Sequence, residues 1–221
     1  MPLFCSVFPL EIVPVDLNAI FLKYEKNMGL FLTYMANNGL LDVTTGTVVS
    51  TGIVLKHDAK YYVQAASTRQ TAINAVLWDD DSSLWVDYNI SSVADTPKKA
   101  STAASLLPIW AGIVDLYSAD SFDTRTHVYE AFMASGLVQE WGVLTTTEES
   151  GQQWDAPNAW PPLVWFSIQG MVKLALPQSI DTAVRPCKAI FHSVVRVHTL
   201  SRTHIHTHIH IHILCYLYLY L

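Results

Sequence analysis

The sequence predicts an all-α fold built from antiparallel helix pairs. Three observations support this prediction. About five segments carry apolar residues at the spacings of a helix face, and little of the chain outside its C-terminal tail has the alternation of a strand. Hydrophobic residues make up 51% of the 221 residues, which is enough for a packed core. No period of about 34 or 40 residues recurs, so helical repeats of the TPR or HEAT type are excluded.

The first helix is predicted for residues 14–38. Asp16 can cap its start, and Asn37, Asn38 and Gly39 supply a left-handed stop. Its apolar residues follow one another at spacings of four and three, which draws one stripe along the helix: Leu17, Phe21, Tyr24, Met28, Phe31 and Met35.

Residues 40–60 are rich in β-branched residues and punctuated by glycine, which predicts a loop or a short hairpin. A second helix is predicted for residues 65–78, followed by a turn at residues 79–81, a short aromatic run and a polar linker at residues 93–102. The apolar residues expected to face inward from this helix are Ala72, Ile73, Val76 and Leu77.

Three more helices complete the prediction. Two are expected at residues 106–117 and 122–134, the second closed by Gly136. The last begins after Asn158, with two prolines in its first turn, where proline is tolerated. Its inward residues are expected to be Leu163, Phe166 and Met171.

The charge and cysteine content exclude several classes of function. A net charge of −6 with 13 Lys and Arg gives no basic footprint, so nucleic acid is excluded as a partner. The sequence contains no run of about 18 apolar residues, which is the length that would predict a membrane span. The three cysteines are scattered, with no CxxC pair that would indicate a zinc or redox site.

The C-terminal tail, residues 203–221, alternates with a period of two. This alternation puts five histidines on one face of any strand, a pattern that suits zinc, copper or nickel: His204, His206, His208, His210 and His212. Thr/Ile with His and then Tyr with Leu is also what a translated dinucleotide repeat yields. We favour the repeat and predict no functional metal site.

The densest cluster of chemical groups lies at residues 150–162, where two tryptophans six residues apart alternate with amide and carboxylate side chains and three prolines. A sugar has an apolar face of C–H bonds and a rim of hydroxyls, so its site combines aromatic walls with a few fixed polar groups. The alternative is a turn leading into a helix with both tryptophans buried. Composition alone favours this second interpretation, the turn with buried tryptophans.

The string QQWDAPNAWPPL at residues 152–163 resembles the QWD-x-P-N-x-W motif of the trehalases, glycoside hydrolase family 37. The resemblance covers roughly residues 12–173. Other segments are similar to the family in the same order: VPVDLNAI at 13–20, ASTRQTAINAVLWDDDSSLWVDYN at 66–89, LLPIWAG at 106–112 and GVLTTTEESGQQWD at 142–155.

The resemblance implies an (α/α)6 toroid that hydrolyses α,α-trehalose to two glucose molecules with inversion, without a metal or organic cofactor. It places four residues in the loop that forms part of the sugar pocket: Gln153, Trp154, Asp155 and Asn158. Gln153 and Trp154 are the strongest of these candidates. Several other matching positions are explained as well by capping and core packing: Asp16, Asn18, Arg69, Trp78, Asp87 and Tyr88.

Departures from the family lower the expected activity. The ESGWD-type motif that carries the family's general acid, the PGGRFxExYxWD motif and the GGGGEY segment are absent, and Val164 stands where many relatives carry Gln. We therefore expect both catalytic carboxylates to be missing and the isolated chain to be an inactive piece of a trehalase. Glu148 and Glu149 are adjacent, so they cannot flank a bond from opposite faces, and we expect a solvated loop there.

The expected organisation follows from the limits of the resemblance. Residues 1–12 are an unmatched segment, residues 13–173 a partial trehalase-like domain, residues 174–202 a second unmatched segment and residues 203–221 a low-complexity tail. Because five or six helices cannot close a ring of twelve, the toroid is expected to be incomplete, with apolar faces in water. The alternative function is a non-catalytic helical protein that binds a carbohydrate or a partner.

Overall fold

The computed structural model describes residues 11–90, 102–114, 121–140, 142–149 and 151–184. The described part is mainly helical, which confirms the predicted all-α class. Its α-helices include α1 (Val15–Asn37), α2 (Ala59–Val76), α3 (Leu107–Ala111), α4 (Ser121–Ala134) and α5 (Pro161–Leu174). A 3-10 helix, Ala103–Leu106, leads into α3, and residues 177–184 are also helical.

The described strands are two residues long and pair antiparallel. One pair joins chain segments far apart in sequence, and the other three form hairpins beside helix ends. The pairs are β1 (Ile12–Val13) with β6 (Tyr88–Asn89), β2 (Leu41–Asp42) with β3 (Thr47–Val48), β4 (Trp78–Asp79) with β5 (Leu84–Trp85), and β7 (Val138–Gln139) with β8 (Gly142–Val143). The hairpin within residues 40–60 agrees with the predicted loop or hairpin.

Helix α1 has nearly its predicted length, but the predicted cap is wrong. Pro14 is the N-cap residue, and among the described residues Asp16 accepts a hydrogen bond from the adjacent Leu17 amide, at 2.6 Å, and not from the amides of the following turn. The carboxylate of Asp87 accepts from the Val15 amide at 2.8 Å instead. This contact can form because the β1–β6 pair brings residue 87 beside the start of α1. The predicted stop is confirmed, since Gly39 has a φ of +67°.

The apolar stripe predicted for α1 is not its buried face. Leu17, Phe21, Tyr24 and Phe31 are 44–58% exposed. The residues buried from α1 lie on another face: Val15, Ala19, Leu22, Glu25, Gly29 and Leu32. Two of these are Ala and Gly, which let α2 approach closely; a Cβ at Gly29 would lie 3.0 Å from a methyl carbon of Val63. The aromatic side chains of the predicted stripe, Phe21, Tyr24 and Phe31, therefore remain on the surface.

Helix α2 begins six residues before the predicted start at residue 65. Asp58 caps it, because its carboxylate accepts from the Tyr61 amide at 2.8 Å. Ile73 and Leu77 are buried as predicted, whereas Ala72 and Val76 are exposed. The turn predicted at residues 79–81 is present but lies at residues 80–83, between β4 and β5, because Asp79 belongs to β4.

The core lies where α3 and the 3-10 helix pack between α1 and α5. Helix α3 is shorter than predicted, because Gly112 adopts a φ of +81° and ends it. Gly170 of α5 lies against the 3-10 helix, where an added Cβ would be 2.9 Å from the Leu106 carbonyl oxygen. The largest fully buried side chains include Phe132, Leu22, Leu32, Ile73, Leu77, Leu84, Leu106, Leu107, Leu137, Leu174 and Leu176.

Helices α4 and α5 agree with the prediction. Gly136 has a φ of +80° just after α4, and Leu163 and Met171 of α5 are buried, with Phe166 half-buried. Arg125 of α4 donates to the Leu174 carbonyl oxygen at 2.8 Å, which ties α4 to the end of α5. Most of the predicted 93–102 linker and the whole His-rich tail lie outside the described residues.

Candidate functional site

The segment 151–160, here called the tryptophan loop, connects the chain after β8 to the start of α5. Its backbone forms two successive turns. The Asp155 amide donates to the Gln152 carbonyl oxygen at 3.2 Å, and the Asn158 amide donates to the Asp155 carbonyl oxygen at 2.8 Å. The peptide bond between Ala156 and Pro157 is cis. These turns explain the dense run of Pro, Asn and Asp residues in the motif.

Two hydrogen bonds fix the tryptophan loop to the preceding segment. The Ala156 amide donates to the Glu148 carbonyl oxygen at 2.9 Å, and the Trp160 amide donates to the Thr145 hydroxyl at 2.7 Å. Thr145 is itself attached to the core, because its carbonyl oxygen accepts from the buried Ala103 amide at 3.0 Å. The loop is therefore held on a packed scaffold although its side chains are mostly exposed.

Both tryptophans of the loop are open to solvent. Trp154 is 40% and Trp160 39% exposed, and their ring centroids lie 6.5 Å apart with an interplanar angle of 37°. The alternative of a turn with two buried tryptophans is therefore not what the structure shows. Two tilted aromatic faces on an anchored loop form an apolar wall that a flat ligand can contact.

The structure brings the four predicted pocket residues together on this loop, but they differ in what they do there. The side chains of Gln153 and Trp154 are exposed. The Asn158 amide group donates to the Gln153 carbonyl oxygen at 3.1 Å, so it stabilises the loop itself. Asp155 is half-buried. Gln153 and Trp154 thus present exposed side chains on the loop, and their contact with a ligand stays a prediction.

Glu148 and Glu149 are exposed at the edge of the tryptophan loop. They are consecutive residues, and the Glu148 amide donates to the Thr146 hydroxyl at 3.2 Å. Their position agrees with the expected solvated loop. Two adjacent carboxylates cannot stand on opposite faces of one glycosidic bond.

A second polar cluster lies in the α1–α2 pair. Arg69 binds both carboxylate oxygens of Glu25, at 2.8 and 2.9 Å, and donates to the Asn18 side-chain oxygen at 3.2 Å. Its guanidinium also lies 5.1 Å from the ring centroid of Phe21. Hydrogen bonding to Glu25 raises the pKa of Arg69, so the guanidinium stays charged.

These contacts support a structural role for the matching residues outside the tryptophan loop. Asn18 also donates to the Pro14 carbonyl oxygen at 2.9 Å, and Trp78 donates to the Asp80 carboxylate at 2.7 Å. The rings of Trp78 and Trp85 lie 4.7 Å apart. Sequence reasoning missed Glu25 as the partner of Arg69. The sequence offered one signal for this pairing. Glu25 lies seven residues after Asn18, which places both side chains on one face of the helix.

Neither a metal cluster nor a membrane span is found in the described ranges. Within residues 11–90, 102–114, 121–140, 142–149 and 151–184, no three His, Cys, Asp or Glu side chains are grouped so that they could hold a metal ion. None of the helices that the structure describes has both the length and the apolar character needed to span a bilayer.

The family model and the most similar known sequences agree on one family. The sequence model of the trehalase family matches residues 6–196. Periplasmic trehalase from Escherichia coli O1:K1 is 33% identical over 163 residues, and a putative periplasmic trehalase from Escherichia coli O157:H7 is 31% identical over 161 residues. Each alignment covers 73% of this chain and 24% of the relative. The chain therefore spans about a quarter of the length of these relatives.

Solved structures show the same fold. Neutral trehalase from Saccharomyces cerevisiae matches with a TM-score of 0.58 and 20% identity, over 75% of this chain and 28% of that one. The GH63 mannosylglycerate hydrolase from Thermus thermophilus in complex with glucose matches with a TM-score of 0.59 and 16% identity, over 82% and 40%. At these identities the similarity concerns the fold, an (α/α)6 toroid of which this chain is an incomplete part.

Proposed function

Because the chain belongs to the trehalase family, we propose that its tryptophan loop binds a glucose unit of α,α-trehalose, the substrate that the complete enzyme hydrolyses to two glucose molecules with inversion. The observation that carries this proposal is the pair of exposed tryptophans, 6.5 Å apart, on a loop hydrogen-bonded to the core. An exposed aromatic pair on a fixed loop matches the C–H face of a pyranose.

Each loop residue has a proposed role. The ring of Trp154 packs against the sugar, and the side-chain amide of Gln153 donates to and accepts from its hydroxyls. Asp155 accepts from a further hydroxyl. Asn158 acts indirectly, because its side chain holds the Gln153 carbonyl and with it the turn that presents Trp154. Gln153, Trp154 and Asp155 therefore contact substrate, and Asn158 is a positioning residue.

We further propose that this polypeptide binds the sugar without hydrolysing it. An inverting glycosidase needs a carboxylic acid and a carboxylate about 6.5–9.5 Å apart on opposite faces of the bond. The 221 residues contain neither the ESGWD-type nor the GGGGEY-type segment that supplies these groups in the family. Glu148 and Glu149 do not replace them, since they are adjacent and exposed.

Binding is tested by saturation-transfer NMR with trehalose on the 221-residue chain and its variants. We expect Trp154→Ala to lower the transfer signal at least about fivefold, since packing against an aromatic ring typically contributes about 1 kcal/mol or more. Trp154→Phe should retain most of it. The matched control is Phe122→Ala, which removes a ring on α4 that is 55% exposed. An unchanged signal in Trp154→Ala would contradict the proposed pocket.

Catalysis is tested separately by the release of glucose from trehalose. The assay compares this chain with a longer polypeptide that adds the family segments carrying the acid and the base. We expect activity only in the longer form. Turnover by the 221-residue chain would show that the two carboxylates lie within it, and Asp155, Glu148 and Glu149 would then be the first residues to replace.

A second candidate function, a non-catalytic helical protein that binds a carbohydrate or a protein partner, is favoured by one observation. Helix α1 exposes a row of large apolar side chains, including Leu30, Phe31 and Tyr34, which are 71%, 58% and 61% exposed. The same two experiments distinguish the functions. Binding of trehalose combined with no glucose release by the longer polypeptide would favour the non-catalytic protein.

A further inference from the structure

Thr145 joins the tryptophan loop to the core through two different atoms. Its hydroxyl accepts a hydrogen bond from the Trp160 amide at 2.7 Å. Its carbonyl oxygen accepts from the amide of Ala103, a fully buried residue of the 3-10 helix, at 3.0 Å. The next residue, Thr146, pairs with Thr102 in an isolated antiparallel bridge. The backbone of this segment is therefore fixed to the core independently of the Thr145 side chain.

Trp160 lies where the loop enters α5. It is the N-cap residue of that helix, with an extended backbone (φ −93°, ψ 114°), and Pro161 follows it. A residue before proline is restricted to extended conformations, so the proline limits how the Trp160 backbone can turn but does not fix where it lies. The amide of an N-cap residue has no acceptor within its own helix, and the Thr145 hydroxyl supplies one. This hydrogen bond therefore locates the Trp160 backbone against the core.

The two tryptophans of the loop are positioned by different hydrogen bonds. Trp154 lies within the turns of the loop, where the Asn158 side chain donates to the Gln153 carbonyl oxygen at 3.1 Å. Trp160 is held from outside the loop, by the hydroxyl of Thr145. The 6.5 Å separation of the two rings and the 37° angle between them therefore depend on how the end of the loop is attached to the core.

We propose that Thr145 is a second positioning residue of the tryptophan loop, in addition to Asn158. Its hydroxyl holds Trp160 beside Trp154 and thereby controls how tightly the loop binds a sugar. This inference rests on the proposed function, since it takes the aromatic wall as the surface that contacts the ligand. The role requires a hydroxyl oxygen that accepts one hydrogen bond, and it does not require the threonine methyl group. A displaced Trp160 ring would leave a smaller apolar wall for the C–H face of a pyranose.

The first measurement follows the tryptophan pair itself and needs no ligand. Two indole rings 6.5 Å apart couple and give an exciton band in the circular dichroism spectrum. The difference between each chain and its Trp160→Phe version isolates this band from the other tryptophans. We expect Thr145→Val, which keeps the side-chain shape and removes the acceptor, to lose most of the band, and Thr145→Ser to retain it. The matched control is Thr147→Val, at an exposed residue two positions later.

The second measurement is the saturation-transfer signal of trehalose on the same 221-residue variants. We expect Thr145→Val to lower the signal about fivefold, which corresponds to one hydrogen bond between neutral groups. Thr145→Ser and Thr147→Val should stay near the parent chain. If Thr145→Val does not fold, the pair Thr145→Ala and Thr145→Ser decides, because both lack the methyl group and only serine keeps the hydroxyl.

The outcomes separate this inference from the proposed function. A parent chain that binds trehalose together with a folded Thr145→Val that binds it equally well would overturn the positioning role and leave the proposed sugar pocket standing. An unchanged exciton band in Thr145→Val would overturn it as well. A parent chain that binds no trehalose would contradict the proposed function, whereas the exciton band would still decide whether Thr145 holds Trp160.

Discussion

Arg69 joins α1 to α2 through one guanidinium. It binds both oxygens of Glu25, whose side chain is 11% exposed, and the side-chain oxygen of Asn18 on the same face of α1. A planar fork with several donors is needed for this geometry, so lysine is not an equivalent replacement. The contact fixes the register of two helices that otherwise meet through small residues.

We predict that Arg69→Met destabilises the chain by about 2 kcal/mol, because Glu25 would be left as a nearly buried carboxylate without its partner. The double variant Glu25→Leu with Arg69→Met should recover most of that loss, since it removes both charges and fills the space. Urea midpoints of the single and double variants measure the effect, with Lys60→Met as a control on the same helix. A single variant as stable as the parent would contradict the structural role.

The lowered pKa of Lys173 predicts how the stability of the chain depends on pH. Burial, together with the charge of Lys23, lowers this pKa from 10.5 to about 8 in the folded chain, so the folded state binds this proton less tightly than the unfolded state. The lowered pKa therefore reduces the free energy of unfolding. This reduction has its full size below pH 8 and disappears as the pH rises from about 8 to 10.5. Lys173→Met removes this reduction. Because the side chain is partly solvated, we expect the free energy of unfolding to rise by only about 1 kcal/mol at pH 7 in chloride.

The measurement compares urea midpoints of Lys173→Met and the parent chain at pH 7 and at pH 10.5. The difference should be present at the lower pH and should nearly close at the higher one. A difference that is the same at both pH values would mean that the ammonium charge of Lys173 is not its source. A variant less stable than the parent at pH 7 would show that the lysine is held by favourable contacts instead.

At the scale of elements, two helical glycines test how closely the helices pack. A Cβ at Gly170 of α5 would lie 2.9 Å from the Leu106 carbonyl oxygen, which belongs to the backbone of the core. A Cβ at Gly29 of α1 would lie 3.0 Å from a methyl carbon of Val63, and a side chain can move. Both residues have helical backbones, so alanine gains about 1 kcal/mol in helix propensity at either position.

We therefore predict opposite outcomes for the two substitutions. Gly170→Ala should lower the urea midpoint, because separating α5 from the 3-10 helix costs more than the gain in propensity. Gly29→Ala should leave the midpoint unchanged or raise it. Each variant is the control for the other, since the chemical change is the same. A stabilised Gly170→Ala would mean that α5 and the 3-10 helix are less tightly packed than the structure shows.

Helix existence was predictable from the sequence, but the buried face of α1 was not. Two apolar stripes run along α1: one of large residues such as Phe21 and Phe31, and one that includes Ala19, Gly29 and Leu32. Periodicity identifies both stripes, and side-chain size favoured the wrong one. The small residues are buried because they let α2 approach closely. Which face of α1 is buried therefore depends on the partner helix and cannot be predicted from the hydrophobicity of α1 alone.

The start of α2 and the cap of α1 were missed for a related reason. Asp58 is an ordinary N-cap residue, but the β-branched segment before it obscured the start of the helix. The cap of α1 comes from Asp87, 72 residues away, through a β-pair that no short-range pattern predicts. In contrast, the tryptophan loop was singled out because its motif is contiguous in sequence and resembles that of the trehalases, whereas its composition alone favoured buried tryptophans. Local chemistry was readable from the sequence, and long-range pairing was not.

At the scale of the whole molecule, the described structure leaves apolar surface exposed on α1 and on the adjoining loop. The exposed residues of α1 include Leu17, Ile20, Phe21, Tyr24, Leu30, Phe31 and Tyr34, at 40–71%. The chain spans 24% of the length of its periplasmic trehalase relatives, and its fold is an incomplete (α/α)6 toroid like part of the neutral trehalase structure. Exposed patches of this kind mark contact surfaces or sites of aggregation.

We predict that the isolated chain self-associates through this face of α1 and binds the dye 8-anilinonaphthalene-1-sulfonate. The triple variant Leu30→Gln, Phe31→Lys, Tyr34→Lys replaces three of its most exposed residues and should shift the chain toward monomer while circular dichroism shows the same helix content. Sedimentation velocity at several concentrations measures the association. Burial of apolar surface supplies about 25 cal/mol per Å², so the loss of three large side chains should weaken self-association at least tenfold.

The matched control is a triple variant of the exposed loop, Val43→Lys, Val49→Lys, Ile53→Lys, whose parent residues are 71%, 63% and 59% exposed. Because this loop lies beyond the C-terminal end of α1, its substitution should leave most of the association and dye binding intact. An equal effect of both triple variants would mean that general hydrophobicity, and not one face, drives association. A parent chain that is monomeric and binds no dye would mean that the face of α1 is covered in solution, since an apolar surface of this size in water must either associate or take up the dye.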